Sequence, residues 1–227
     1  RSINNIVDIT NYILHETGQS LHAFDASVIK DQHVVVKTYP AGTSFISLDG
    51  TERKLTASDL MISDTEKPMC IAGVFGGLNS GVKDATTSIF LESAWFNNVS
   101  IRKTSVHHGL RTDAATRFEK GVDIANAVKV LEKAAAMIQE IAGGTCSSVV
   151  DVYPSPAEKV KVAMTFAYLK KLSGKQYAAD KAVAILTSLG FELLHQDAES
   201  IQVAVPYNKP DISIAADLVE EILRIDG

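Results

Sequence analysis

The stretch 123–144, DIANAVKVLEKAAAMIQEIAGG, decides the fold class. Ile124, Val128, Leu131, Ala135, Ile138 and Ala142 recur three or four residues apart, the spacing of one helical face. Asp123 is a helix-capping residue type, and Gly143-Gly144 is a helix stop. An apolar helical face needs a surface to cover, and the residues before it supply one. HVVVKTYP (33–40), SFISL and ERKL around Asp49-Gly50, DLMISD (59–64) and SIFLESAWF (88–96) are β-branched or alternating runs, and Asp-Gly is a strong hairpin-turn dipeptide. A helix packed on such strands makes an α+β domain. INNIVDITNYILHET (3–17) adds Ile3, Ile6, Val7, Ile9, Ile13 and Leu14 at helical spacing before Gly18, and SSVVDVYP (147–154) is expected to close the domain with a further strand.

Within residues 153–159, the run PSPAEK (154–159) reads as a linker, because two prolines in three residues resist both helix and central strand. A smaller unit is expected over 160–227. It should hold a strand at 160–165, a short helix with Leu169 and Leu172 ending at Gly174, and a helix from Asp180 to Gly190. A β segment at 200–206 and a last helix, ADLVEEILRID, with Leu218, Ile222 and Ile225 on one face, would complete it. No internal repeat or low-complexity tract is present.

Composition narrows the class. The chain has 227 residues, 46% of them hydrophobic, enough to bury a core in one or two domains. Its 22 Lys and Arg against 27 Asp and Glu are spread along the chain, so any nucleic-acid contact has to be local. Cys70 and Cys146 lack paired spacing, which fits a reducing, cytoplasmic setting rather than a disulfide framework or zinc site. No apolar run reaches the length of a membrane span, and Arg1-Ser2-Ile3 resembles no signal peptide. The absent initiator methionine is expected of an excerpt from a longer protein. Asn98-Val99-Ser100 is a glycosylation sequon by chance in such a chain.

No G-x-S-x-G, H-E-x-x-H, G-x-x-x-x-G-K-[ST] or strand-following G-x-G-x-x-G occurs, which argues against a self-sufficient ATPase or dehydrogenase. Four local features remain. IAGVFGGLNSG (71–81) packs four glycines after an apolar run, suited either to tight turns or to backbone amides left open to a ligand. Glu92 interrupts SIFLESAWF, where a carboxylate is costly unless paired or used, although alternation also allows it to point to water. His22 in SLHAFD (20–25) fits a packed histidine or a site residue. HHGLRTDAATRFEKG (107–121) fits a capped short helix with a solvated face, with Thr112 or Asp113 as cap. Asp217, Glu220 and Glu221 stand at i, i+3 and i+4 with Asp211 before them, either a solvated acidic face or a cation site.

Taken together and in order, SINNIVDITNYILHETGQSLHAFD, SLDGTERKL, IAGVFGGLNSGV, IFLESAWF and HHGLRTDAATRFEKGVD resemble the beta subunit of bacterial phenylalanyl-tRNA synthetase. The resemblance spans essentially the whole chain. Residues 1–152 are similar to its mixed-sheet B3/B4 editing domain, and 160–227 to its B5 domain, a small helical unit likened to a winged helix; PDISIAADLVEEILRIDG is similar to the end of B5.

The resemblance implies a division of labour. An alpha subunit, in an alpha2beta2 enzyme, joins phenylalanine to tRNA(Phe) with ATP, which is not bound here, and the beta subunit's editing domain hydrolyses Tyr-tRNA(Phe). An apolar pocket rejects an added hydroxyl only by about 10²-fold, so a second, polar sieve for tyrosine has a physical purpose. By resemblance, Glu92, expected ionised, recognises the tyrosine hydroxyl. His22 positions the ester or the attacking water. Arg1 lies near the tRNA 3′ end. Thr10, Asn11, Ala72, Gly73, Thr112 and Ala114 line the pocket, with Ala114 limiting side-chain size. Asp211, Asp217, Glu220 and Glu221 match acidic positions of a Mg²⁺ site shared with the alpha subunit, weakly held in an excerpt, and KPD replaces a more usual Arg-Phe-Asp there. A tRNA-docking and assembly module without hydrolysis is the rival reading. A metal-dependent hydrolase would need Glu92 and the histidines to converge on a metal, and their spacing fits no standard motif.

Overall fold

The computed structural model describes residues 2–227, so the expectation placed on Arg1 lies outside the described residues. Two compact units divide the chain, the first ending at Asp151 and the second being Val152–Gly227. In the first unit α1 (Asn5–Thr17) leads to β1 (Leu21–Asp25), β2 (Val35–Thr38), β3 (Ser44–Ile46), β4 (Glu52–Lys54), β5 (Leu60–Ser63), β6 (Pro68–Ile71), β7 (Phe75–Gly76) and β8 (Ile89–Ser93). Then come α2 (Asn98–His108), α3 (Asp113–Phe118) and α4 (Ala127–Ala142). The α+β class holds. Where the resemblance implies a mixed sheet, the strand pairings among the described residues are all antiparallel: β1 with β8, β3 with β4, and a sheet in the order β2-β5-β6-β7.

Local chemistry sets the ends of α1. The Asn4 side chain accepts from Val7 N–H, and Gly18, at φ 77°, takes the left-handed conformation that ends the helix. Its buried face joins α4 and β1 in a small core of Ile9, Ile13, Leu21, Val130 and Ala134. This corrects the expected face of α4. Val130 and Ala134 are buried there, with Met137 and Ile138 packed against them, whereas Leu131 and Ala135 line a shallower groove beside β8. The helix also begins later, because Asp123 caps a separate 3-10 turn at Ile124–Asn126. The larger core, with Phe24, Met61, Ile62, Ile71, Phe96, Ile101 and Phe118, lies around the glycine-rich turn.

The strand expected at 147–154 does not form. Val150 and Val152 are 81% and 80% exposed and pair with nothing, so their β-branched composition finds no sheet edge.

The second unit contains β9 (Lys161–Thr165), α5 (Phe166–Ser173), α6 (Ala179–Ser188), β10 (Glu192–Gln196), β11 (Ser200–Ala204) and α7 (Ala215–Asp226). Its strands form one antiparallel sheet, β10-β11-β9, so the unit is less purely helical than the resemblance implies. Thr165 caps α5 and Gly174 ends it. Leu169, Leu186, Ile201, Leu218 and Ile222 form the unit's own core.

Candidate active site

In β1 and β8, His22 and Glu92 stand directly opposite one another. Cross-strand partners project to the same face, so two residues 70 positions apart in sequence become neighbours. The alternation of both strands sends Leu21 and Leu91 toward the α1–α4 core and leaves His22 and Glu92 on the other side. There they border a cavity of about 390 Å³ shared with Val7, Val74, Phe75, Phe96 and Phe118.

Apolar walls change the charge of both groups. Desolvation lowers the His22 imidazole to about 4, and its Nε2 is shut from solvent with no hydrogen-bond partner. Desolvation also pushes the half-buried Glu92 carboxyl up to about 8. Near neutral pH these shifts favour a neutral imidazole beside a protonated acid. Among the described residues the cavity wall holds no Lys or Arg to stabilise an ionised Glu92.

The imidazole fits into space kept by a glycine. A Cβ on Gly76 would stand 2.9 Å from His22 Cε1, and Phe24 packs on the ring edge at a centroid distance of 4.4 Å. Gly73 has a different constraint. Its φ is +66°, and a Cβ there would meet Phe96 Cδ2 at 2.7 Å and Ile101 Cδ1 at 2.8 Å. The Gly73 N–H has no partner among the described residues, whereas Ala72 and Val74 on either side donate to Leu60 and Ile71 carbonyls.

The expected lining divides into groups. Thr10, Asn11, Gly73, Thr112 and Ala114 reach the cavity with His22 and Glu92; Ala72 does not, being buried in the larger core. Thr112 has a structural task, since its Oγ1 donates to Val74 O at 2.7 Å and accepts from Ala115 N–H at 3.0 Å, tying the start of α3 to the glycine-rich turn. Thr10 Oγ1 donates back to Val7 O. Sequence reasoning missed Gly76 and Cys70 as wall residues. The glycine cluster marked Gly76, but nothing in the sequence marked Cys70. Desolvation, with the Glu92 charge adding to it, raises the Cys70 thiol, which suits a wall and not a nucleophile.

His108 serves elsewhere. Its Nε2 lies 2.8 Å from Asp59 Oδ2, while Asp59 also accepts from Thr104 Oγ1 and Thr56 N–H, each at 2.8 Å. Desolvation works to raise the Asp59 carboxyl, but these hydrogen bonds together leave it below its ordinary value. This buried pair fastens α2 to the β4–β5 turn.

The acidic residues of the second unit do not converge. Glu221 is buried and accepts from Lys209 Nζ at 2.6 Å and Arg224 Nη2 at 2.8 Å; Arg224, then Lys209, hold its carboxyl down at about 2. Asp217 accepts from the Ser213 and Ile214 amides as a helix cap, and Asp211 and Glu220 are exposed. Among the described residues no group of three or more His, Cys, Asp or Glu could hold a metal. The four acids therefore do not fit Mg²⁺ within this chain, because its own cations and amides occupy the best oxygens.

Fold and cavity place the chain in a class that comparison names: it belongs to the B3/4 domain family, whose model matches residues 1–143, and residues 162–227 match the tRNA synthetase B5 domain. Over its whole length it is 50% identical to the phenylalanine–tRNA ligase beta subunit of Bacteroides fragilis and 47% identical to that of Carboxydothermus hydrogenoformans. It spans 28% of the length of each of these relatives. A solved N-terminal fragment of the phenylalanyl-tRNA synthetase beta-subunit from Pyrococcus horikoshii is similar at a TM-score of 0.45 and 16% identity, over 96% of this chain and 64% of that one.

Proposed function

We propose that the first unit is a hydrolytic editing site that removes tyrosine from Tyr-tRNA(Phe), and that the chain works as the B3/4–B5 region of a cytoplasmic phenylalanine–tRNA ligase beta subunit. In that enzyme an alpha subunit carries the synthetic site. The single observation that carries the reading is the His22–Glu92 pair in the wall of an apolar cavity, with neither side chain hydrogen-bonded to a described residue. His22 Nε2 is buried without a partner, which costs free energy, and the partly exposed Glu92 carboxyl stands open to a donor from a ligand.

A tyrosine ring suits the Phe96–Phe118 side of the cavity, and its phenol suits Glu92. A neutral hydrogen bond there contributes about 0.5–1.5 kcal/mol, and about 1.5–3 kcal/mol if the carboxyl ionises on binding. Phenylalanine supplies no such partner. The Gly73 N–H suits the ester carbonyl, where a fixed donor stabilises the developing oxyanion. Neutral His22, a wall residue of the cavity, suits the positioning of the ester or the attacking water, with no nucleophilic side chain in the sequence of steps.

The test is deacylation of Tyr-tRNA(Phe) and Phe-tRNA(Phe) by a whole synthetase carrying this region or its Glu92→Ala variant. Tyrosine release should fall by about tenfold or more in the variant, as the lost hydrogen bond implies, while the parent spares Phe-tRNA(Phe). Equal release by parent and variant would remove Glu92 as hydroxyl sensor. Absence of release from either would favour the docking-module reading.

A further inference from the structure

The chain carries a net charge of −5, yet residues 102–120 hold five Lys and Arg against two acids. Helices α2 and α3, which pack against each other, carry or border these cations. Arg102, Lys103 and His107 project from the exposed side of α2, and Arg117 and Lys120 are exposed at the end of α3 and just beyond it. None of Arg102, Lys103, Arg117 or Lys120 has an ion-pair partner among the described residues; Arg111 alone approaches an acid, Glu119, at 3.8 Å. Lys54, Lys133, Lys175, Lys181 and Lys209 are each paired with a carboxylate, whereas Lys170 and Lys171 on α5 are, like these four, without an ion-pair partner among the described residues.

Its position matters as much as its charge. The opposite side of α2 is buried through Ile101, Thr104 and Ser105, and Phe96, immediately before α2, is stacked on Phe118 of α3 at 5.1 Å in the cavity wall. Only the thickness of one helix, about 10–12 Å with side chains, separates the cations from that wall. A depression lined by Val99, Arg102, Lys103, Val106 and His107, with the acid Glu119 also in its lining, lies along the same side of α2. Val99 and Val106, each 55% exposed, give it apolar ground between the charges.

We propose that this α2–α3 surface binds the phosphates of the tRNA 3′ acceptor strand, holding the strand while its aminoacyl end occupies the cavity. The charge complementarity identifies the occupant as a polyanion, and the adjoining cavity makes it the strand carrying the ester; that last identity rests on the editing reading above. Unpaired cations bind phosphate by releasing counterions, so each contact contributes about 0.7 to the salt dependence of single-strand binding.

The test titrates an uncharged acceptor-stem minihelix, ending in single-stranded CCA, into the 227-residue chain between about 50 and about 200 mM salt. Arg102→Glu/Lys103→Glu should weaken binding about tenfold and flatten the log–log salt slope by about 1.4, two contacts' worth. Lys170→Glu/Lys171→Glu, an equal charge change on α5, should leave both unchanged. Equal loss in the two variants would mean a diffuse field with no docking surface. Binding unaffected by Arg102→Glu/Lys103→Glu, or no binding by the parent chain, would overturn the inference. Deacylation of Tyr-tRNA(Phe) is scored separately: its absence refutes the editing reading, while the minihelix titration alone decides this one.

Discussion

Replacing Glu92 with Gln should make the first unit more stable at mildly alkaline pH, in proportion to the proton the native carboxyl retains. In the unfolded chain Glu92 ionises near 4.5, and in the fold near 8. The folded state therefore binds more protons across that window, and stability falls as pH rises through it, by about 1.4 kcal/mol per unit. His22 acts in the opposite sense. Its folded value of about 4 lies below the ordinary 6.5, so its contribution rises with pH across that lower range and is complete above 6.5. Between pH 6.5 and 8 only Glu92 of the pair changes the balance, giving a loss of about 2 kcal/mol, or about 1 kcal/mol once partial solvent access is discounted. Glu92→Gln keeps the size and polarity and cannot ionise, so the slope disappears. Urea unfolding followed by Trp95, the chain's one tryptophan and two residues beyond β8, reads this unit directly. With urea m-values of about 1–3 kcal/mol/M, the parent midpoint should fall by about 0.3–1 M over the window and the variant midpoint should hold. Parallel pH slopes would refute the protonated acid. A parent whose midpoint stays flat from pH 6.5 to 8 would show Glu92 already ionised in the fold.

Gly76→Ala should cost about 1–3 kcal/mol in unfolding while displacing the His22 ring, which its Cβ would meet at 2.9 Å; deacylation kcat should drop about tenfold to hundredfold, and an unaltered kcat would remove His22 from the reaction. Asp59→Ala should cost about 3–5 kcal/mol in urea unfolding, because it strands His108, Thr104 and the Thr56 amide in a buried place; a loss under about 1 kcal/mol would mean that α2 is held by other contacts.

What was legible in the sequence followed from local periodicity. α1, α4 and α7 were visible because their apolar residues repeat every three or four positions before a closing glycine. The hairpin at Asp49-Gly50 was legible from its turn chemistry, and β3 and β4 flank it as expected. β1 and β10 were not read as strands. LHAFD is brief and carries two titratable residues, while ELLHQ is exposed throughout and shows no alternation in burial. The strand expected from Ser147-Ser148-Val149-Val150 failed for the converse reason: β propensity records a fit to a neighbouring strand, and none stands there.

By itself the sequence marked α1 and α3 to α7 but not α2, and, through long ordered motifs, the resemblance that named His22 and Glu92. Only the tertiary structure decided that these two residues face each other, because strand pairing joins segments far apart in the chain. It also decided their neutrality, since desolvation depends on every wall of the cavity at once. The acidic set near the end shows the same limit. The spacing of Asp217, Glu220 and Glu221 is a sequence property, but Lys209 and Arg224, which claim the buried Glu221, become its partners only when α7 packs. Charge state and pairing are set by surroundings in three dimensions, and helical periodicity by the chain alone.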